Sequence, residues 1–440
     1  MKKQKHLKKQ IIYQILIVNV HSSKNAGDYA LLLQTIYYLE KAFGKTKFSI
    51  MANWPKEKRL SELDHKIIGS PWWEIRVWDK NKKPRFQIAS FLFSLFFLFA
   101  YKLDRLNLFR GLIPKKWVYI FNEFSKTDLV VAVAGNQLFT SGRKGWPLTV
   151  VGLPIFLAKL FKKKTIIFPQ SIGPLKYKFD KKLVRFLYQN VDQLFVRDLV
   201  SLKLVRDLTI YKSNPCFMHD VAFTFPAVEA QIAKKVLASY GYREEQKTIG
   251  LTILSSMPSY LPSDVMQNYY QCFADMITSL VDRLGYSVFV FCQVYGPTDD
   301  ENDFIGIETV RRLLPDSIIE TLHIINKELH PSLLKACYGL MDVFIASRLH
   351  SGIFSLGMRV PTLFVGYLHK TFGVLKALQM TDQIVDLEEV TEELLLHKVS
   401  NLWENRSAIS ERINSQMLSI EKDLDVLPER IQKVIDNYEN

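Results

Sequence analysis

Ser347-Arg-Leu-His-Ser-Gly-Ile-Phe-Ser-Leu-Gly-Met-Arg-Val-Pro-Thr-Leu-Phe-Val-Gly-Tyr-Leu-His-Lys370 holds a strand end, a helix and a second strand in 24 residues. The apolar run Val343–Ala346 just before it reads as a buried strand that ends at Ser347-Arg348-Leu349-His350; a short helical stretch follows, and Thr362–Val365 reads as the next buried strand. In an open α/β sheet the carboxyl ends of adjacent strands are where ligands bind. This end carries Arg348, permanently charged, and His350, able to give or take a proton near neutral pH. In strand geometry side chains two apart point the same way, so both can reach one ligand. The alternative is an arginine holding a carboxylate at a strand end beside a satisfied surface histidine.

Working outward, the same alternation fills most of the chain. Strand-like runs at Ile11–Val18, Phe48–Ala52, Leu129–Ala134, Lys164–Phe168 and Gln193–Val196 are separated by helix-length amphipathic segments, the first from about Asp28 to Phe43. After a polar stretch near Tyr242–Gln246 the pattern restarts with Thr248–Leu254, the helix Val265–Leu284, Ser287–Cys292, Thr321–Ile325 and the helix Pro331–Leu340. Strands alternating with helices imply βαβ units and parallel sheets. The expected fold class is α/β, with two Rossmann-like domains facing across a cleft. The boundaries read as a basic arm at 1–10, a first domain at 11–240 with an aromatic-basic insertion at about 71–116, a second domain at 241–390, and C-terminal helices at 391–440.

Bulk properties narrow the class. A chain of 440 residues exceeds the size at which one core keeps growing. Cys216, Cys272, Cys292 and Cys337 are scattered, which fits a reducing cytosol and offers no metal spacing. Residues 1–230 hold 39 Lys+Arg against 16 Asp+Glu, and residues 231–440 hold 19 against 28. The basic half suits an anionic partner, and without zinc-finger, RRM or basic-heptad signatures an anionic membrane surface fits better than nucleic acid; a plain solubilising surface explains the charge as well. Phe86–Tyr101 is sixteen residues without a charge between basic flanks, short of the roughly 20 residues of a membrane span. It suits a helix in the headgroup layer, or one buried in the core or at an interface. Lys-rich residues 1–10 precede Ile11–Val18 with no small-residue cleavage site after it, so a cytoplasmic protein, peripheral at the inner face of the membrane, is the expectation.

Several loops place polar groups at strand ends. Asn25-Ala-Gly27-Asp28 opens the first helix, where Gly27 permits close backbone approach and the free N–H groups attract an anion; Asp28 also serves as an ordinary cap. Gly135-Asn136-Gln137 offers amides to hydroxyls or a carboxylate, and turn chemistry accounts for it equally. Pro169-Gln-Ser-Ile-Gly-Pro174 holds Gln170 and Ser171 on a stiff loop. Arg197 either clamps a phosphate or carboxylate, or pairs with Asp198 or Asp192. No Walker A loop, Gly-x-Gly-x-x-Gly or nucleophile elbow is present, and Asp299-Asp300 lacks calcium-loop spacing.

Asn25-Ala-Gly-Asp28, Ala134-Gly-Asn136, Pro169–Pro174, Val196-Arg-Asp198 with Ser201, His219-Asp-Val-Ala-Phe223, Ser347-Arg-Leu-His350 and Pro361–Tyr367 with Lys370 and Gly373 form an ordered set that resembles the polysaccharide pyruvyl transferase family, over about residues 11–385. The resemblance implies a two-domain fold like that of GT-B glycosyltransferases. It also implies transfer of the pyruvyl group of phosphoenolpyruvate to two hydroxyls of one sugar, forming a cyclic ketal and releasing phosphate. Arg197 and Arg348 would hold the donor, and His350 would protonate its methylene carbon or assist phosphate departure. Asn25, Gly27, Asp28, Gly135, Asn136, Gln170, Ser171, Leu349 and Lys370 would bind substrate. Phosphoenolpyruvate is then a donor substrate with no cofactor or metal, and the acceptor is a sugar or a lipid-linked oligosaccharide. The glycine-rich end of the third strand is reduced here to Gly135-Asn136, and the 71–116 insertion is not required by the family pattern. The rivals are a GT-B glycosyltransferase using a nucleotide sugar, and a non-catalytic family member acting as a binding module in polysaccharide synthesis.

Overall fold

The computed structural model describes residues 12–71, 96–102, 111, 113–140, 146–210, 215–255, 263–366 and 369–436. The arm at 1–10, most of the 71–116 insertion and the 86–95 half of the apolar run lie outside the described residues.

The first sheet contains β1 (Tyr13–Val20), β2 (Thr46–Ala52), β3 (Lys66–Gly69), β4 (Leu129–Ala132), β5 (Gly135–Leu138), β6 (Lys164–Ile172), β7 (Gln193–Val196) and β8 (Cys216–Phe217). Its order is β3-β2-β1-β4-β6-β7-β8, with β5 laid against the far end of β6. The second sheet has the order β11-β10-β9-β12-β13-β14, from β9 (Thr248–Thr252), β10 (Ser287–Phe291), β11 (His323–Ile325), β12 (Val343–Ala346), β13 (Thr362–Gly366) and β14 (Ile384–Asp386). The named pairings in both sheets are parallel. This is the expected α/β architecture of two Rossmann-like sheets.

Helices on both faces explain the near-continuous apolar strands. In β1, Ile15 and Ile17 enter one core while Leu16 and Val18 enter the other, and β4 divides Leu129 and Val131 from Val130 and Ala132 in the same way. Burying each such side chain contributes about 1.5–3 kcal/mol. The first core is continuous with that of the second sheet, so the two halves share apolar packing.

In each sheet the strand order reverses once. The chain moves outward from β1 through β2 to β3 and then returns to β4, and it moves from β9 through β10 to β11 before returning to β12. Crevices at the carboxyl ends of β1/β4 and β9/β12 are therefore the two topological switch points. Main-chain contacts join the rims: Asn25 and Val294 form an antiparallel bridge, Ala26 N–H donates to Gln293 O (3.2 Å), and Tyr295 N–H donates to Lys24 O (3.0 Å).

Three local expectations change. β6 continues through Gln170 and Ser171 to Ile172, so the proline-bounded segment is mostly strand, and Gly135-Asn136-Gln137, open to a turn reading, lies in β5. β12 stops at Ala346, Arg348 is the extended residue preceding the helix Leu349–Gly357, and His350 lies in that helix's first turn. Strand alternation therefore does not align Arg348 with His350; a strand-to-helix turn does. Of the apolar run, residues 96–102 are helical: Phe97 packs on Trp117 and Tyr101 on Phe121, whereas Phe96 and Phe99 are exposed. Among the described residues no helix is long and apolar enough to cross a membrane.

Candidate active site

A cleft of about 310 Å³ opens where the carboxyl ends of the two sheets meet, and Arg197, Arg348, Leu349, His350 and Lys370 all line it. Arg197 follows β7 and is 2% exposed. Its Nε donates to Ser171 Oγ (2.9 Å), and its Nη1 donates to Asp220 Oδ2 (2.5 Å) and stands 3.4 Å from His350 Nε2. Nη2 has no hydrogen-bond partner among the described residues. Pairing with Asp198 or Asp192 does not occur: Asp198 caps the helix Leu199–Asp207 through Ser201 N, and Asp192 holds Lys164.

Asp220 is wholly buried. Burial alone would raise its carboxyl, but the Arg197 guanidinium and His350 outweigh that and hold it well below the usual carboxylate range. His350 Nε2 lies 3.7 Å from Asp220 Oδ2. Without a proton that nitrogen accepts from Arg197; with one, it faces a fixed carboxylate. Both proton states of His350 thus have a partner, which suits a group that gives up and regains a proton.

Arg348 comes from the second switch point. Its Nε and Nη2 donate to Asp303 Oδ1 at 2.9 and 2.5 Å, while Asp303 Oδ2 accepts from Val294 N (3.0 Å) and Gln293 N (3.3 Å). The hydroxyls behind it are mutually bonded: Ser347 N donates to Thr252 Oγ1, Thr252 meets Ser351 at 2.9 Å, and Tyr269 OH donates to Ser347 Oγ at 2.8 Å. Lys370 belongs to the helix His369–Ala377, which is set tightly against the first half: a Cβ on Gly373 would stand 2.7 Å from Asp198 Oδ1. Burial, then repulsion by Arg197 and Arg348, pushes the Lys370 ammonium down to about 8, against the pull of Asp28.

Asn25 caps the helix Ala26–Phe43, its Oδ1 accepting from Gly27 N (3.0 Å) and Asp28 N (3.3 Å). A Cβ on Gly27 would sit 2.2 Å from His350 Nδ1, so only glycine lets this backbone meet the imidazole. Asn25, Asp28 and Asn136 line the cleft, and Gly135 lies just beyond it. Gln170 and Ser171 do not line it. Gln170 spends its amide on Val133 O and accepts from Tyr188 OH, and Ser171 positions Arg197.

A model of the family described as polysaccharide pyruvyl transferase matches residues 25–369, more than half of the chain. The chain belongs to this family. Amylovoran biosynthesis protein AmsJ of Erwinia amylovora is 23% identical to this pyruvyl transferase family member over 275 residues, 58% of this chain and 62% of AmsJ. The matched stretch therefore spans less than two thirds of that relative. Among solved structures, MnaA of S. aureus with UDP is similar at a TM-score of 0.59 and 12% identity, covering 98% of this chain and 97% of that one. The UDP-GlcNAc 2-epimerase of Neisseria meningitidis bound to UDP-GlcNAc gives 0.57 at 11%, covering 96% and 100%. Anabaena HepE in complex with UDP gives 0.56 at 8%, covering 97% and 100%. At these identities the likeness is one of fold alone.

Sequence reading missed His21 and Glu301, which line this family member's cleft, and Asp220 and Asp303, which hold its arginines from behind. His219-Asp220 belongs to the ordered motif set and was detectable as the partner of Arg197. Asp303 sits in an acidic loop whose spacing excluded calcium without suggesting an arginine anchor. His21 Nε2 and Glu301 Oε2 meet at 3.1 Å across the two halves. Burial would lower the His21 pKa, but the Glu301 hydrogen bond prevails and pushes it up to about 9.

Proposed function

We propose that the protein moves the pyruvyl group of phosphoenolpyruvate onto two hydroxyls of a sugar in a surface polysaccharide or its precursor, forming a cyclic ketal and releasing phosphate. One observation carries this reading: Arg197 from the first sheet and Arg348, His350 and Lys370 from the second line one cleft. A small trianion needs several directed donors, and a carbon–carbon double bond needs a positioned acid. Asp220 and Asp303 cancel much of the guanidinium charge, so recognition rests on aimed N–H groups more than on net field. Arg197 and Arg348 bind the donor's phosphate and carboxylate, Lys370 adds a third cation, and His350 protonates the methylene carbon.

The test is thermal shift with phosphoenolpyruvate, UDP-sugars and GDP-sugars, followed by mass analysis of candidate glycolipids incubated with the donor. Stabilisation by phosphoenolpyruvate and a ketal product are expected. Stabilisation by a nucleotide sugar alone overturns the reading in favour of a glycosyltransferase. Retained biological function in His350→Ala would instead favour a non-catalytic binding module.

One surface of the first half suggests a place for the enzyme. The exposed Phe179 and Phe186 share a helix with Lys178, Lys181, Lys182 and Arg185, Lys159 lies 4.8 Å over the Phe186 ring, and Lys102 lies 5.6 Å over Phe161. Aromatic rings among cations suit the headgroup layer of an anionic leaflet, which supports a peripheral position on the inner face of the membrane and a lipid-linked acceptor. Flotation with phosphatidylglycerol vesicles, absent with phosphatidylcholine and reduced in Phe179→Ser/Phe186→Ser, is the expected outcome; equal flotation of the variant removes this face from the proposal.

A further inference from the structure

A second chamber of about 240 Å³ adjoins the cleft at the β1/β4 switch point. The two share His21, Asp28, Asn136, Phe139 and Glu301 along their common boundary. The chamber's polar lining is Asn19, Asn53, Ser70, Gln137 and the shared groups, while Val20, Val133, Val151 and Pro154 give it an apolar wall. Among the described residues neither arginine nor lysine lines it, and the one imidazole, His21, is paired with Glu301. Ser70 Oγ and Asn136 Oδ1 are buried there without a hydrogen-bond partner among the described residues, although nearly all buried polar atoms in folded proteins find one. A neutral polyol with an apolar ring face matches this lining; an anion does not.

Asp28 is placed between the two spaces. Its carboxylate makes no hydrogen bond and no ion pair among the described residues, although it lies close enough to Lys370 and His21 to influence both ammonium and imidazole. Its backbone neighbour Gly27 touches the His350 ring. An unengaged carboxylate on the boundary, one residue from the imidazole contact, is poised to take a proton from a group that reaches out of the chamber toward the cleft.

We infer that the chamber seats the acceptor sugar as an uncharged ring, and that Asp28 is the base that receives the proton of the hydroxyl attacking the donor. This rests on the pyruvyl transferase reading above. In the first half, the hydroxyl oxygen forms a bond to donor C2, the π electron pair of the double bond takes the His350 proton at C3, and the hydroxyl proton passes to Asp28. In the second half, the C2–O bond to phosphate breaks with its electron pair leaving on phosphate, the second hydroxyl oxygen bonds to C2, and its proton goes to the departing phosphate. Donor and diol become ketal and hydrogen phosphate, and Asp28 and His350 recover their starting states by proton exchange with solvent.

The experiment compares wild type, Asp28→Asn, Asp28→Glu and Ser70→Leu with phosphoenolpyruvate and a panel of methyl hexopyranosides, following ketal formation by mass, phosphate release, and donor binding by thermal shift. Asp28→Asn is expected to bind donor as wild type does, to form ketal at least about 100-fold more slowly, as loss of a general base does, and to lose the acidic limb of the kcat/KM–pH profile. Asp28→Glu regains part of the rate and of that limb. Ser70→Leu fills the chamber and raises the KM for glycoside with the donor KM unchanged. If wild type fails to bind phosphoenolpyruvate, the functional reading itself fails. If donor binds but no glycoside in the panel is pyruvylated, the chamber assignment is overturned. Wild-type turnover by Asp28→Asn, an unaltered pH limb, or loss of donor binding in that variant overturns the role of Asp28.

Discussion

The two switch points share one topology and differ in chemistry. At β9/β12 the rim carries Arg348 and His350, and the polar groups behind them are engaged: Arg348 with Asp303, and Ser347, Thr252, Ser351 and Tyr269 with one another. At β1/β4 the rim carries, besides His21, Asp28 and Glu301, amides and a hydroxyl, of which Ser70 Oγ and Asn136 Oδ1 are buried and unpaired among the described residues. A buried charge demands compensation before any ligand arrives, since leaving it alone costs several kcal/mol. A neutral hydroxyl left unpaired costs only about 1–3 kcal/mol, which a fold can tolerate where a ligand is to be bound. The contrast separates a side whose charges are fixed by their own ion pairs, proposed to seat the donor, from a side with buried polar atoms left over, proposed to seat the acceptor; Gln293 Nε2, in the cleft, is likewise without a partner among the described residues.

Substitutions can break or sharpen this contrast. The largest effect is expected for Arg197→Ala, which strands buried Asp220 beside His350: stability should fall by about 3–5 kcal/mol, and donor binding should vanish, as read by urea unfolding and thermal shift. A merely local loss of binding with normal stability would mean that the Arg197–Asp220 pair is not a structural requirement. His350→Gln should leave donor binding intact and slow ketal formation by about 10²–10⁴-fold, the usual worth of a general acid, in single-turnover assays. Gly27→Ala should displace the imidazole and cost about 100-fold in kcat, since small misplacements of reacting groups have effects of that size, while the melting temperature moves little.

Lys370 gives a pH test. Its ammonium has a pKa of about 8, so it aids an anionic donor below that pH and ceases to as the proton is lost above it. Donor affinity should therefore fall as pH rises through 8, and Lys370→Met should flatten that limb with a loss of about 10–100-fold at pH 7, the worth of one charged hydrogen bond. The smallest effect compares the two rims directly. Thr252→Val should destabilise by about 1–3 kcal/mol because it breaks a satisfied network, whereas Ser70→Ala should leave stability unchanged or slightly improved in the same unfolding assay. Equal losses at both positions would erase the distinction.

The cationic side was legible in the sequence because arginine and histidine at strand ends are uncommon and chemically explicit. Arg197, Arg348 and His350 were each named from their surroundings and Lys370 only through the family resemblance, and the structure brings all four to one cleft. Their anchors were harder to see, because Asp220 and Asp303 become meaningful only when the chain brings residues 23 and 45 positions apart into contact. Gln170 and Ser171 misled: a proline-bounded segment reads as a presenting loop, but β5 and β7 pair with it, and the pairing turns both side chains inward. The strands β3, β5, β8 and β14 were missed because they are only 2–4 residues long and lack a sustained apolar period. Of the chamber, Asp28 and Gly135-Asn136-Gln137 were marked in the sequence, but Asn19, Asn53 and Ser70 were not, since serine and asparagine at strand ends are also ordinary turn residues.

The last helices return to the first sheet, and there Asp423 accepts from both the backbone N–H and the ring of His219, at 3.1 and 2.8 Å. His219 is the covalent neighbour of Asp220, the anchor of Arg197. The helix Arg406–Asp425 thus reaches the candidate site through a single peptide link. A clip after Asn405 is expected both to release the hold of Asp423 on His219 and to loosen the shared core, in which Ile413, Met417, Ile420 and Leu424 are buried. Enzymes trimmed or tagged at this end are best judged by donor affinity rather than by yield.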